Sequence, residues 1–287
     1  MSSGVPDMAV RWAQSEDAAV MERTVAVGGL GAIGLEVARA LDRGIPGLRL
    51  LAVAASEPAR AAARVAGFRA PPCIADGAGL AAADIVVECA PSAVFDSIAR
   101  PAVSRGRVLV PCSAGALLER MDLVAAARVS GARIVVPTGA LLGLDAVRAA
   151  AEGEVAEVVI ETRKPPAGLA GAPYLVQHGI DLADLAVPRC VFDGTARQAA
   201  AGFPANVNVA AALALAGIGP ERTRVRIWAD PTIVRNTHTI RVEAAAARFS
   251  MTIEGVPSDT NPRTGRLTPL SVLACLRGLV ATLKVGS

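Results

Sequence analysis

Residues 24–43 read TVAVGGLGAIGLEVARALDR, and this stretch decides the fold. A short β-branched run from Thr24 to Val27 leads into Gly28-Gly29-Leu30-Gly31-Ala32-Ile33-Gly34, and from there into a segment with helical apolar spacing. Strand, tight turn and helix in that order give Gly29, Gly31 and Gly34 separate duties in a G-x-G-x-x-G pattern. The first permits the turn, the second lets a pyrophosphate approach the backbone, and the third lets helix and strand pack closely. The opening of the helix, at Ala32 and Ile33, then offers free N–H groups and a partial positive charge to phosphates. Such a turn reads as a dinucleotide site when further strand–helix units follow it.

Those units follow. LRLLAVAAS is a continuous apolar strand with an Ala-rich helix after Pro58, and ADIVVECA precedes a helix from Ser92 to Ser104. RVLVPCSAG precedes a helix from Leu117 to Ser130, and ARIVVPTG closes the series. This alternation over residues 24 to 137 predicts a Rossmann fold, a doubly wound parallel sheet. After Pro137 the texture changes. EVAEVVIETRK, RVRIWAD and HTIRVEAAAARFSMTIEG read as longer, alternating strands, with a helical insert from Asn206 to Ala216. An α+β domain on a mainly antiparallel sheet is expected there. The predicted organisation is an extension over residues 1–22, a dinucleotide-binding domain over 23–137 and a catalytic and dimerisation domain over 138–266. A closing helix within 267–287, in LTPLSVLACLRGLVATLK, is expected to pack back on the first domain.

Composition agrees with two domains and a small-molecule ligand. The chain has 287 residues, 53% of them hydrophobic and only 3% aromatic, so the core must be built from Ala, Val, Leu and Ile. Twenty-nine Lys and Arg against 26 Asp and Glu leave a net charge of +3, dispersed along the chain. That excludes a nucleic-acid partner or an acidic membrane surface as the main reading. The longest uncharged stretch, between Arg197 and Glu221, holds Pro204, Asn206 and Asn208 and reads as packed helix rather than a membrane span. Five cysteines (Cys73, Cys89, Cys112, Cys190, Cys275) without CxxC spacing read as free thiols, several of them in apolar runs, and point to a reducing cytoplasm. Asp7, Glu16, Asp17 and Glu22 interrupt any apolar run that a secretory leader would need. Two distant histidines and scattered cysteines make no metal-ligand set.

The tip of the second strand discriminates between cofactors. An Asp or Glu there would hold the ribose 2′-hydroxyl of NAD. The strand ends instead Ala54-Ala55-Ser56, with Glu57 next before Pro58. Without a carboxylate at the tip, Ser56 and Arg60 are placed to hold a 2′-phosphate, or Glu57 reaches the ribose; both NAD and NADP remain open. In the second domain, His238 stands in DPTIVRNTHTIRVE, with Asn236 two residues earlier on the same side of an extended strand. An imidazole takes and returns protons near neutral pH. His178, in YLVQHGIDLADL, reads as a surface or packing residue. Asn206 and Asn208 open an apolar helix, as caps or as amides offered to a ligand. Arg163 and Lys164 end a strand and are candidates for a carboxylate.

The motifs VAVGGLGAIG, ECAPSAV, PTGALLGLDAV, ETRKPP, FDGTARQAAAGFPANVNVAAALALAGIG, ADPTIVRNTHTI and PSDTNPRTGRLTPLS together resemble the L-aspartate dehydrogenase family, over nearly all of the chain after residue 22. The resemblance implies a homodimer that oxidises L-aspartate with NAD or NADP to iminosuccinate, which is hydrolysed to oxaloacetate and ammonia. It places the family's active-site histidine on His238 in NTH. Its cofactor contacts fall on Ala140 in TGAL and Asn208 in ANVN, with Cys89 and Ala90 of ECAPSAV carried beside them. The chain departs from the family at Gly255, where Asn is usual, at Gly265, where Ser is usual, and in TGALLG, which replaces SGAIGG. A redox-sensing regulator that kept the fold, and a dehydrogenase for another small amino acid or imine, stay open as alternatives at this point.

Overall fold

The computed structural model describes residues 22–204, 207–258, 261 and 264–286, so most of the extension predicted at residues 1–22, and Asn206, lie outside the described residues. The first half folds as β1 (Arg23–Gly28), α1 (Ala32–Arg43), β2 (Leu48–Ala54), α2 (Pro58–Val65), β3 (Cys73–Ile74), β4 (Ile85–Glu88), α3 (Phe95–Ser104), β5 (Val108–Pro111), α4 (Ala114–Leu118), α5 (Asp122–Ser130) and β6 (Arg133–Ile134). All neighbouring pairs are parallel and the strand order is β3-β2-β1-β4-β5-β6, the doubly wound arrangement that the alternation predicted. The order reverses beside β1, so the crevice at the carboxyl ends of β1 and β4 is where this topology binds ligands.

The second half adds α6 (Leu144–Ala151), β7 (Val155–Lys164), α7 (Pro173–Gln177), β8 (Arg189–Thr195), α8 (Ala196–Gly202), α9 (Asn208–Ala216), β9 (Thr223–Ala229), β10 (Asn236–Ala244), β11 (Arg248–Gly255) and α10 (Leu267–Gly278). Its sheet runs β11-β10-β7-β9-β8 and is antiparallel except between β7 and β9. One face of that sheet, carrying Val158, Ile160, Val225, Ile227, Ile240 and Val242, is buried together with α8 and α9. Side chains of the opposite parity, among them Arg224, Arg241, Thr252 and Glu254, are exposed.

Three differences from the sequence reading have physical causes. The expected helix from Leu117 to Ser130 is two, α4 and α5. All five residues of α4 are buried whereas α5 buries only Leu123 and Ala127, and the axis changes between them through tight i→i−3 bonds such as Arg120 N–H to Leu117 O at 2.9 Å. The strands β3 and β8 carry no clear periodic signal: the first is two exposed residues, and the second slips register between Cys190 and Phe192. Of the five thiols, all free, Cys73 and Cys190 are exposed rather than set in the core.

The last helix joins the first sheet's core. Val272 and Leu276 of α10 are fully buried in one cluster with Val37, Leu41, Val25 and Val108. Leu276→Ala is therefore expected to lower unfolding stability by about 2–5 kcal/mol, the range for emptying a buried leucine site. Urea titration checks this, and a loss below about 1 kcal/mol would show that the site collapses or is not anchored.

Candidate active site

The turn after β1 uses each glycine differently. Gly29 has φ +93°, and a Cβ there would meet the Cys89 carbonyl oxygen at 2.6 Å. A Cβ on Gly34 would lie 1.8 Å from the Gly29 carbonyl oxygen, so only glycine lets α1 start this close to the strand. A Cβ on Gly31 meets nothing within 4 Å, which leaves an open approach to the backbone. Helix α1 starts with no side-chain cap and no acid in its first turn, so its leading N–H groups remain for an anion. These features fit a dinucleotide pyrophosphate. Beside the turn, Gly29 N–H bonds Ala54 O at 2.8 Å, which places the exposed Ser56 and Glu57 next to it at the tip of β2. The Arg64 guanidinium donates to the Leu30 carbonyl and ties α2 to the same turn.

A cavity of about 430 Å³ opens at the carboxyl ends of the first sheet's strands, against one end of the second sheet. Ile33, Ala90 and Cys112 line one side, with Pro137 to Ala140 from the connection between the sheets. Lys164, Asn208, Asn236 and His238 line the other. Thus Ile33, Ala90, Ala140, Asn208 and His238 meet in one space, while Gly29, Gly31, Ala32, Gly34 and Ser56 lie along the glycine turn and the β2 tip. Cys89 sits behind the wall, with its sulfur 3.4 Å from that of Cys112. Its thiol is held well above the ordinary range by the hydrogen bond to Cys112 and by burial. His178 is away from the cavity, exposed and stacked on Tyr174 at 3.9 Å. Arg163, read as a carboxylate candidate, is not in the cavity. It faces the other side of β7, where it bonds Glu161 at 2.9 Å and Asp230 at 3.3 Å and lies over Trp228.

His238 is nine-tenths buried on β10, directly opposite Thr162 of β7, and its Nδ1 lies 3.0 Å from the Thr162 hydroxyl. That hydroxyl both donates and accepts, so it supports either ring tautomer and leaves Nε2 for the cavity. Burial pushes the imidazole down to about 4, helped by the positive charge of Lys164. The ring is neutral at neutral pH and ready to accept a proton. Asn208 accepts a hydrogen bond from Gly115 N–H at 3.1 Å through Oδ1, so its remaining function is the donor Nδ2.

Glu88 was not anticipated from the sequence. It ends β4 fully buried, and its carboxyl accepts from Ser113 N–H at 3.1 Å, Ser113 Oγ at 3.0 Å and Ala90 N–H at 2.9 Å. It thereby ties the β4 and β5 ends together behind the cavity wall. The signal available was an acid closing a strand whose three preceding residues are apolar.

Comparison with known proteins places this architecture. Residues 145–279 match the family model "Aspartate dehydrogenase, C-terminal" and residues 29–137 match "Homoserine dehydrogenase, NAD binding domain". An L-aspartate dehydrogenase of Bradyrhizobium diazoefficiens is 54% identical over 96% of this chain and 99% of its own length. The chain belongs to the L-aspartate dehydrogenase family. A relative of the same name from Methanocella arvoryzae is 40% identical over 92% of this chain and 99% of its own. The crystal structure of aspartate dehydrogenase from Thermotoga maritima superposes with a TM-score of 0.71 at 25% identity, covering 92% of this chain and all of that one. The cofactor is NAD or NADP, in agreement with the fit of the glycine turn.

Burial raises the Glu88 carboxyl to about 7 from the ordinary 4.5, against the hydrogen bonds that pull it down. A carboxyl raised in the folded state contributes stability that is complete below its unfolded value and lost as pH rises through its folded value. Wild-type stability is therefore expected to fall by about 3 kcal/mol from this group between about pH 4.5 and pH 8. Glu88→Gln should flatten that slope in denaturant titrations at the two pH values; an unchanged slope would assign it elsewhere.

Proposed function

We propose that this chain catalyses the reversible NAD(P)-dependent oxidative deamination of L-aspartate, through iminosuccinate, to oxaloacetate and ammonia. The observation that carries the reading is a neutral, buried His238, anchored through Nδ1 by Thr162, in the cavity that the glycine-turn helix opens into. Family membership supports the substrate, since the relatives bear the name L-aspartate dehydrogenase.

In this reading Gly29, Gly31 and the start of α1 hold the pyrophosphate, with Ala32, Ile33, Gly34, Cys89 and Ala90 around them. Ala140 and Asn208 hold the nicotinamide end, Asn208 through its free amide donor. The nicotinamide supplies hydride acceptance or donation when bound. His238 takes a proton from the substrate ammonium or from the water that attacks the imine, and returns it in the reverse direction. The cavity walls align the reactants. Residues 23–137, completed by the helix in 267–287, form the cofactor domain. Residues 138–266 form the catalytic and dimerisation domain of a cytoplasmic homodimer. The exposed face of the second sheet, with Trp228 half-buried beside Arg163, offers the partner surface.

Two measurements test this. Following NADH or NADPH oxidation with oxaloacetate and ammonia should show turnover, and His238→Ala should lower kcat by about 10²–10⁴-fold, the range for general acid–base work. Cofactor binding by the variant should stay near wild type; equal turnover would remove His238 from the mechanism. The β2 tip lacks the acid that would repel a 2′-phosphate, so both cofactors should support turnover. Ser56→Asp should then raise the NADPH KM by about tenfold or more and leave that for NADH nearly unchanged.

A further inference from the structure

Two thiols meet at the carboxyl ends of the neighbouring parallel strands β4 and β5. The last paired step sets Glu88 opposite Pro111, so the next residues, Cys89 and Cys112, leave the sheet side by side. Neighbouring strands lie about 4.8 Å apart, inside the range of roughly 4.4–6.8 Å between Cα atoms that a disulfide spans. The side chains turn toward each other: the two sulfurs are 3.4 Å apart, and both cysteines are free. The backbone carrying them is held, since Cys89 N–H donates to Gly28 O at 2.7 Å and Cys112 N–H to Glu88 O at 2.8 Å. Of the two, Cys112 lines the cavity. Neither thiol has a part in the proton transfers assigned to His238.

We propose that Cys89 and Cys112 form a dithiol modification site, which a small organic disulfide entering the cofactor cavity converts into an intramolecular disulfide. Cys112, partly exposed at the cavity wall, is the sulfur that such a reagent reaches first. Its thiolate attacks one sulfur of the reagent: the bond from Cys112 Sγ to that sulfur forms, the reagent's S–S bond breaks, and the departing thiolate takes up a proton. Cys89 then loses its proton to water and its sulfur attacks Cys112 Sγ, releasing the second small thiol. The two protein thiols lose two electrons, and the reagent gains them as two thiols. The hydrogen bond to Cys112 and burial hold the Cys89 thiol well above its ordinary range, which makes it a poor first attacker. In the second step the sulfur it must reach is already in contact with it.

Bond formation closes the sulfur separation from 3.4 Å to about 2.05 Å. The part of that closure not met by side-chain rotation falls on the strand tips, where the glycine turn has no slack. A Cβ on Gly29 would lie 2.6 Å from Cys89 O and 2.8 Å from Ala90 N, so this peptide is seated directly against the turn that receives the pyrophosphate. Ala90, Cys112 and Ala114 also wall the cavity. Oxidation is therefore expected to weaken cofactor binding, and bound cofactor makes the pair harder to oxidise by the same factor, because such coupling is reciprocal. The site needs a cofactor at the glycine turn; it does not depend on which amino acid is oxidised there.

The test incubates the whole chain with increasing hydroxyethyl disulfide at fixed mercaptoethanol, with and without saturating NADH, and reads intact mass, linked peptides and the NADH dissociation constant. The expected product is two hydrogens lighter, carries a Cys89–Cys112 linked peptide, and binds NADH about tenfold or more weakly. Excess dithiothreitol should restore both mass and affinity. Saturating NADH should raise the disulfide concentration needed for half conversion by about tenfold or more. Adducts on the exposed Cys73 and Cys190 add mass and are thereby told apart from a disulfide, which removes it. Cys89→Ser should stop at an adduct on Cys112, and Cys112→Ser should leave Cys89 unlinked. Each variant is compared with its own untreated sample, thermal unfolding confirms that it folds, and the wild-type peptide map decides the site where one does not. Absence of the Cys89–Cys112 link, a link from Cys112 to the nearby Cys275 in its place, or a correct link that leaves NADH affinity within about threefold would each overturn the site. The correct link with its loss of NADH affinity, in a protein that turns over no oxaloacetate, sinks only the functional reading.

Discussion

The alternation of side chains along β7 and β10 is the constraint on which the rest depends. Successive residues of a strand point to opposite faces, so a strand that must bury one face has its inward positions fixed two by two. Val158 and Ile160 on β7 pair with Val242 and Ile240 on β10, and this apolar register places Thr162 opposite His238 at the next step. A slip of one residue would move the whole core stripe to the exposed face, so the register is strongly specified. The hydrogen bond between Thr162 and His238 is thus positioned by the packing of aliphatic side chains several residues away. The core is also what tolerates the two buried basic groups at its end, since neither His238 nor Lys164 is stabilised in its charged form by burial.

The first sheet constrains the opposite wall by different means. There the close approaches are backbone to backbone: Gly34 against the Gly29 carbonyl, and Gly29 against Cys89 and Ala90. Adding a single carbon at either place would push the start of α1 away from the strand tips. Glu88 fixes the same region from beneath, because three donors from two strand ends converge on its carboxyl. Rigid backbone on one side and rigid strand register on the other leave the space between them well defined. That is the condition for aligning two reactants.

The sequence made some of this legible and concealed the rest for identifiable reasons. The glycine turn was readable because strand, turn and helix are contiguous and each glycine has a steric role. The parallel series was readable because its strands are apolar throughout. By contrast β3 and β8 escape, since two exposed residues and a strand with a register slip have no clear period. Arg163 and Lys164 were weighed as equals, yet they project to opposite faces. The parity count from Ile160 separates them and is available from VVIETRK alone. Glu88 is a harder case. Its role depends on Ser113, 25 residues away in the turn that follows a different strand, and no local pattern carries that contact.

Placing one lysine and one histidine at the same cavity, both nearly buried, also settles their protonation. Two positive charges there would repel at reduced dielectric, so the group that is easier to deprotonate gives up its proton first. The imidazole falls to about 4 and the ammonium only to about 8, a separation that keeps a charged lysine beside a neutral histidine across the neutral range. The same site would behave differently with the order reversed, since a protonated imidazole has no lone pair to accept a proton. A negative charge brought beside the two groups would favour their charged forms and so raise the basicity of His238. The difference in pKa between the two basic groups, already present in their ordinary values and kept in the site because both fall together, is what divides the labour between charge and proton transfer.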